Sequence, residues 1–346
     1  MTRIVRILLL AVATCAAAFL PLTAGAAAFS SLFVFGDSLS DTGNNAAVFD
    51  TAGFPLPPGT LRTATPISSP TFIPDLPYAS NRYSNGPVWV EGLAAGLGLS
   101  AQPSLLGGTN FAFGGARSGP LGSSFPYSLL DQTQFFLGAT GGYAPSTALY
   151  VISGGGNDAR DAFALAAGGN DPTSLIAAYA SDIGSIITDL ETAGAHDILL
   201  VNVPDIGMTP AIRAYGASGM ALASWVAGAM NTALNSMLGT LSPAMTDGIR
   251  VLDTFTLVDD IVADPAAFGM TDVTSACAFS QACIDNPDTT FFWDGIHPTT
   301  AGHAILAQAA LRTVPEPGTV LLIAIAALAL LAFRPRRAPS RSAVPA

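Results

Sequence analysis

Lysine is absent from the 346 residues, and all thirteen basic residues are arginine. Arg3 and Arg6 lie at the N-terminus, and Arg334, Arg336, Arg337 and Arg341 near the C-terminus, which leaves seven between residues 29 and 314. That stretch holds 23 of the 24 acidic residues, for a formal charge of −16. A chain of that sign repels nucleic acid and offers no basic face to an anionic lipid surface. Histidine and cysteine are scarce, with three residues each, and no His or Cys cluster forms a metal-binding pattern. The sequence shows no site for an organic cofactor. No Lys-Ser or Lys-Thr follows Gly154-Gly155-Gly156, which excludes a phosphate-binding loop. The absence of a Gly-x-Ser-x-Gly elbow argues against an ordinary α/β-hydrolase.

Apolar residues make up 50% of the chain, enough for one large domain or two small ones. Part of that apolarity sits at the ends. Arg3 and Arg6, the apolar run Ile7 to Leu20, and small residues at Ala24-Gly25-Ala26 and Ala26-Ala27-Ala28 read as a signal peptide over 1–28. At the other end, Val314-Pro315-Glu316-Pro317 precedes an apolar run over 319–333, and Arg334, Arg336 and Arg337 follow it. Fifteen residues is short for a full span. A Pro-Glu-Pro sequence, an apolar helix and an arginine cluster, in this order, resemble the PEP-CTERM sorting tail of Gram-negative bacteria. That resemblance assigns residues 314–346 to a tail read by an exosortase; a plain membrane anchor is the alternative. The chain is therefore expected beyond the inner membrane, in the envelope or outside the cell, after processing by signal peptidase. In such an oxidising compartment Cys277 and Cys283, which flank Ala278 to Ala282, can pair; two free thiols are the alternative.

Between the ends, strand-like and helix-like segments alternate, which argues for an α/β domain over 29–313 with a parallel sheet. Strands are expected at 31–35, 148–152, 197–203 and 249–253, with a weaker one leading into 110–113. Helical spacing of apolar residues covers 173–193, 218–241 and 301–312, the last with Thr299 or Thr300 as N-cap. Seven prolines between residues 50 and 80 predict a long surface loop.

Acyl transfer needs an oxygen nucleophile, a base, a group that orients the base, and donors for the oxyanion. The base is the scarcest part. His196 reads as an exposed turn residue, and His303 falls inside the last helix. His297 differs, because it follows Asp294-Gly295-Ile296 and precedes Pro298. Asp294 can reach its Nδ1 and fix its tautomer, while Pro298 keeps it off helical backbone. Ser38 stands where the first strand ends, and sites in doubly wound sheets form at the carboxyl ends of strands. Asn110 to Gly115, Gly154 to Asp158 and the His297 loop leave strand ends in the same way.

Together these segments resemble the SGNH/GDSL hydrolases in order and content. Phe35-Gly36-Asp37-Ser38-Leu39-Ser40-Asp41-Thr42-Gly43-Asn44 is similar to the family's first block, Asn110-Phe111-Ala112-Phe113-Gly114-Gly115-Ala116 to its second, Gly155-Gly156-Asn157-Asp158 to its third, and Asp294 with His297 to its last. The resemblance implies a three-layer α/β/α sandwich, doubly wound around a mostly parallel five-stranded sheet of flavodoxin-like order. It implies Ser38 as nucleophile and His297 as base, oriented by Asp294. The oxyanion donors would be the N–H groups of Ser38 and Gly115, with Gly114 as the alternative to Gly115, and the Asn157 side chain. No cofactor is implied. An acyl ester of a lipid or small alcohol is the implied substrate; a sugar O-acetyl ester, or a non-catalytic envelope or matrix role, are the rivals.

Overall fold

A computed structural model describes residues 29–51, 66–120 and 125–314. The expected signal peptide, nearly all of the tail with its 319–333 segment, and residues 52–65 of the proline-rich stretch lie outside the described residues. The unit Phe29–Val314 is compact in itself.

Its centre is a parallel sheet in the order β1 (Leu32–Gly36), β2 (Leu149–Ser153), β3 (Asp197–Val201) and β4 (Ile249–Leu252). A second, two-stranded parallel sheet pairs β5 (Asp272–Ala276) with β6 (Thr290–Phe292). β1, β2 and β3 are nearly continuous apolar runs because both faces are covered. The fifth strand expected from the sequence is an irregular edge. Phe111 N donates to Val34 O, Phe113 N to Gly36 O, and Val34 N to Thr109 O, on the side of β1 away from β2. The Asn110 side chain captures Ala112 N–H at 2.8 Å, and the turn at Gly114-Gly115 follows. These local bonds replace a regular ladder.

The longer helices are α1 (Asn44–Thr51), α2 (Trp89–Gly96), α3 (Leu129–Ala139), α4 (Gly156–Ala167), α5 (Thr173–Thr192), α6 (Gly216–Leu238), α7 (Thr254–Ala263) and α8 (Thr300–Thr313). The periodicity over 173–193, 218–241 and 301–312 thus corresponds to α5, α6 and α8. Ile176, Tyr179, Ile183, Ile186, Ile187 and Leu190 of α5 all join the main core, with Phe35, Tyr150, Ile152, Ile198 and Leu200 of the sheet. Thr299 caps α8, accepting from Gly302 N at 3.1 Å. Cys277 and Cys283 are disulfide-bonded.

The proline-rich stretch departs from a simple surface loop. Ile67 and Tyr78 are buried in a small core with Ala276, Cys277, Ala278 and Trp293. Residues 66–80 therefore brace the loop that carries His297.

One side chain fixes the exit of β1. Gln132 of α3 is fully buried. Its Oε1 accepts from Gly36 N at 2.8 Å, and its Nε2 donates to Gly36 O at 2.9 Å and Tyr127 O at 3.0 Å. Gln132→Ala leaves the Gly36 N–H buried without a partner, an expected cost of about 1–3 kcal/mol. Denaturant unfolding checks it; a variant as stable as the wild type would show that the clamp is dispensable.

Candidate active site

Ser38 leaves the end of β1 in a loop organised by a buried carboxylate. Asp41 Oδ1 accepts from Gly43 N and Asn44 N at 2.8 and 2.7 Å. Its Oδ2 accepts from Asn45 N at 3.2 Å and Gly114 N at 3.0 Å. One side chain thus starts α1 and ties the Ser38 loop to the Gly114-Gly115 turn. Burial raises the Asp41 carboxyl to about 6, against the four N–H bonds that lower it. Burial also raises Asp37 to about 6, opposed by the Leu39 N–H bond and by nearby His297.

His297 arrives from the other end of the chain, on the loop between β6 and α8. Trp293 N donates to His297 O at 2.7 Å, which closes the loop. Gly295 is required by close approach: a Cβ there would lie 2.7 Å from both Thr71 O and Phe72 O. Asp294 is wholly buried and faces four donors. They are Ile296 N and His297 N on Oδ1, at 2.9 and 2.8 Å, and Tyr78 O–H and His297 Nδ1 on Oδ2, at 2.9 and 2.8 Å. Nδ1 is therefore the donor, and the unprotonated Nε2 accepts from the Ser38 hydroxyl at 2.8 Å. The Tyr83 ring lies 5.4 Å from the imidazole, centre to centre.

The other sequence-selected residues converge on the same region. The Gly114 N–H is taken by Asp41, which leaves Gly115 as the N–H of the pair with no hydrogen-bond partner among the described residues. Gly115 has φ +84°, the left-handed region that favours glycine. The Ser38 N–H is likewise without a partner among the described residues. Asn157, buried on the first turn of α4, donates from Nδ2 to Ala116 O at 2.9 Å and keeps one further N–H. Its Oδ1 accepts from Arg160 Nη1 at 3.2 Å. Ser38, Asn157, Arg160 and His297 line one cleft of about 50 Å³. Among the described residues no group of three or more His, Cys, Asp or Glu side chains could hold a metal ion.

Sequence reasoning missed Tyr78 and Arg160. Arg160 had a usable signal, since it lies one helical turn beyond Asn157 on the same face. Tyr78 had none, because its partner is 216 residues away. The remaining histidines fall where expected, His196 exposed ahead of β3 and His303 inside α8. His196 is exposed, its Nδ1 3.3 Å from Asp197 Oδ2. His303 is fully buried, and neither ring nitrogen has a hydrogen-bond partner among the described residues.

Burial, with a smaller repulsion from His297, lowers His303 to about 3 from an ordinary 6.5. It stays neutral in the folded state while the unfolded chain takes up its proton below pH 6.5. Its contribution is therefore complete above that pH and lost as pH falls towards 3, by about 3 kcal/mol at pH 4. His303→Phe is expected to flatten this part of the stability–pH curve. An unchanged slope between pH 6.5 and 4 would rule His303 out as its cause.

The family model described as GDSL-like Lipase/Acylhydrolase matches residues 32–310, and that of the PEP-CTERM protein-sorting motif matches 313–337. Esterase EstA of Pseudomonas aeruginosa is 29% identical over 332 residues, covering 85% of this chain and 48% of the relative. A GDSL esterase/lipase of Arabidopsis thaliana is 28% identical over 340 residues, covering 83% of each chain. A phosphatidylcholine-sterol acyltransferase of Aeromonas hydrophila is 28% identical over 332 residues, covering 82% of this chain and 89% of the relative. The chain spans about half the length of the Pseudomonas relatives it matches.

Proposed function

The chain belongs to the GDSL-like lipase/acylhydrolase family, and from that premise we propose that it is an exported serine esterase that cleaves carboxylic esters through an acyl-enzyme on Ser38. The observation that carries this reading is the unbroken chain Ser38 Oγ–His297 Nε2 and His297 Nδ1–Asp294 Oδ2, with both contacts at 2.8 Å.

In the proposed reaction Ser38 Oγ attacks the ester carbonyl as its proton passes to His297 Nε2. Asp294 holds the ring in the required tautomer and stabilises the imidazolium. The oxyanion takes hydrogen bonds from Ser38 N–H, Gly115 N–H and Asn157 Nδ2, each of which has an N–H without a partner among the described residues. Arg160, on Asn157 Oδ1, keeps that amide from turning over. The tetrahedral species collapses, the C–O bond to the alcohol breaks, and His297 returns its proton to the departing oxygen. Water then attacks the acyl-Ser38 carbonyl, giving its proton to His297, and the carboxylic acid leaves as Ser38 is reprotonated. The relatives named esterase and acyltransferase support acyl transfer as the reaction class.

Export rests on the ends of the chain. The PEP-CTERM match supports sorting to the envelope by an exosortase. The proposed division is a signal peptide at 1–28, the hydrolase at 29–313 and the sorting tail at 314–346, with the apolar segment 319–333 as at least a transient membrane anchor. Among the described residues no helix is long and apolar enough to cross a membrane.

Hydrolysis of p-nitrophenyl acetate and butyrate tests the reading, with acetylated xylan alongside. Asn157→Ala is expected to lower kcat by about 10²–10³ with the fold intact, and Ser38→Ala to fall to background. Equal rates in Ser38→Ala and wild type, or none in either, would favour a non-catalytic envelope protein. A preference for the acetylated polysaccharide would point to carbohydrate esters.

A further inference from the structure

Arg82 and Arg117 are each paired with a carboxylate, of Glu91 and Asp161. Arg160 is not. Its Nη1 donates to Asn157 Oδ1 at 3.2 Å, and among the described residues it makes no other hydrogen bond and no ion pair. Most of its donor fork is therefore free. The residue is half-buried. Burial, ahead of repulsion from Arg117, lowers the guanidinium from its ordinary value, yet it keeps its charge. A cation that has lost water without gaining a carboxylate favours an incoming anion.

Arg160 stands between two spaces. One is the Ser38 cleft, with Asn157 and His297. The other is an open groove lined by Thr71, Ile73, Phe163, Ile212 and Tyr215. Asp161 is the groove's other charged residue, and Arg117 takes both of its oxygens, at 2.9 and 3.0 Å. The charge left over at the groove is that of Arg160. The Asp37 carboxyl lines the cleft but not the groove, so an anion is better placed on the groove side. The cleft also continues into an apolar cavity walled by Trp89, Val258, Phe291, Phe292 and Leu306, which shares no residue with the groove. Hydrocarbon belongs in that cavity. The groove is left for the alcohol part, which has to depart first. A domain of formal charge −16 repels anions at long range, so selection for one has to come from a local cation.

We propose that Arg160 is an anion subsite for the alcohol part of the substrate, and that the enzyme selects esters whose alcohol carries a phosphate or carboxylate a few atoms from the ester oxygen. The proposal rests on the esterase reading above. The guanidinium lies one hydrogen bond from the Asn157 amide that faces the oxyanion, which keeps the anion close to the ester. Its planar fork suits either oxyanion group.

The experiment compares kcat/KM within two matched pairs. One is 1-butyrylglycerol 3-phosphate against 1-butyrylglycerol, the other 4-butyryloxybutanoate against 4-butyryloxybutanamide. Wild type should favour the anionic member by about tenfold to hundredfold in at least one pair, and the two pairs tell phosphate from carboxylate. Added salt should shrink the preference. Arg160→Gln should abolish it, and Arg160→Lys should keep part of it. Both variants are expected to slow the neutral esters as well, because Asn157 loses its support. The ratio within a pair cancels that loss, and a purely structural role would leave the ratio unchanged. A Ser38-dependent esterase with no preference for the anion in either pair, or one whose preference survives Arg160→Gln, overturns the anion subsite alone. If neither these esters nor p-nitrophenyl butyrate is cleaved, or Ser38→Ala matches wild type, the esterase reading fails and the subsite falls with it.

Discussion

Everything at the site depends on one hydrogen bond, from the Ser38 hydroxyl to His297 Nε2, because it joins residues 259 positions apart. Neither side of that contact is held by its own segment alone. Ser38 is placed by the end of β1, which Gln132 clamps, and by Asp41, whose carboxylate draws the following loop and the Gly114-Gly115 turn together. His297 is placed by Asp294, and Asp294 by Tyr78 from the proline-rich stretch and by two N–H groups of its own loop. The sheet supplies the common reference. Its strands all run parallel, so their carboxyl ends, and the loops that leave them, fall on one edge.

Much of this was legible in the sequence, for physical reasons that differ by element. The buried strands read clearly because burial on both faces demands unbroken apolar runs. The long helices α5, α6 and α8 read clearly because each keeps an apolar stripe. Asp294 and His297 read clearly because their contact is local. The fifth strand was overdrawn: Asn110 uses its side chain where a strand would use its ladder. Several helices gave no strong signal. α4, for example, starts inside a glycine run whose Gly155 has φ +107° and lies where a Cβ would meet the Tyr179 ring at 2.6 Å. Tyr78 was illegible in principle, since nothing near it in sequence reveals a carboxylate 216 residues away.

The acidity of the chain has a structural side. Several carboxylates are not on the surface at all but serve as acceptors inside it. Asp41, Asp205 and Asp294 are each buried and each accept two or more hydrogen bonds. Such groups are costly to bury and become stabilising only when their lone pairs are filled. Here that condition makes them organisers of loops. Many of the donors they collect are backbone N–H groups that loops would otherwise leave unpaired.

The claim that Ser38 is activated by His297 is tested most directly by covalent labelling, which needs no knowledge of the substrate. Diethyl p-nitrophenyl phosphate reacts with a serine only when a neighbouring base raises its nucleophilicity. Intact-mass and peptide analysis of the treated protein should show one diethylphosphoryl adduct, on Ser38, and none after His297→Ala. An adduct that forms equally without His297, one on another serine, or none on the wild type would contradict the assignment.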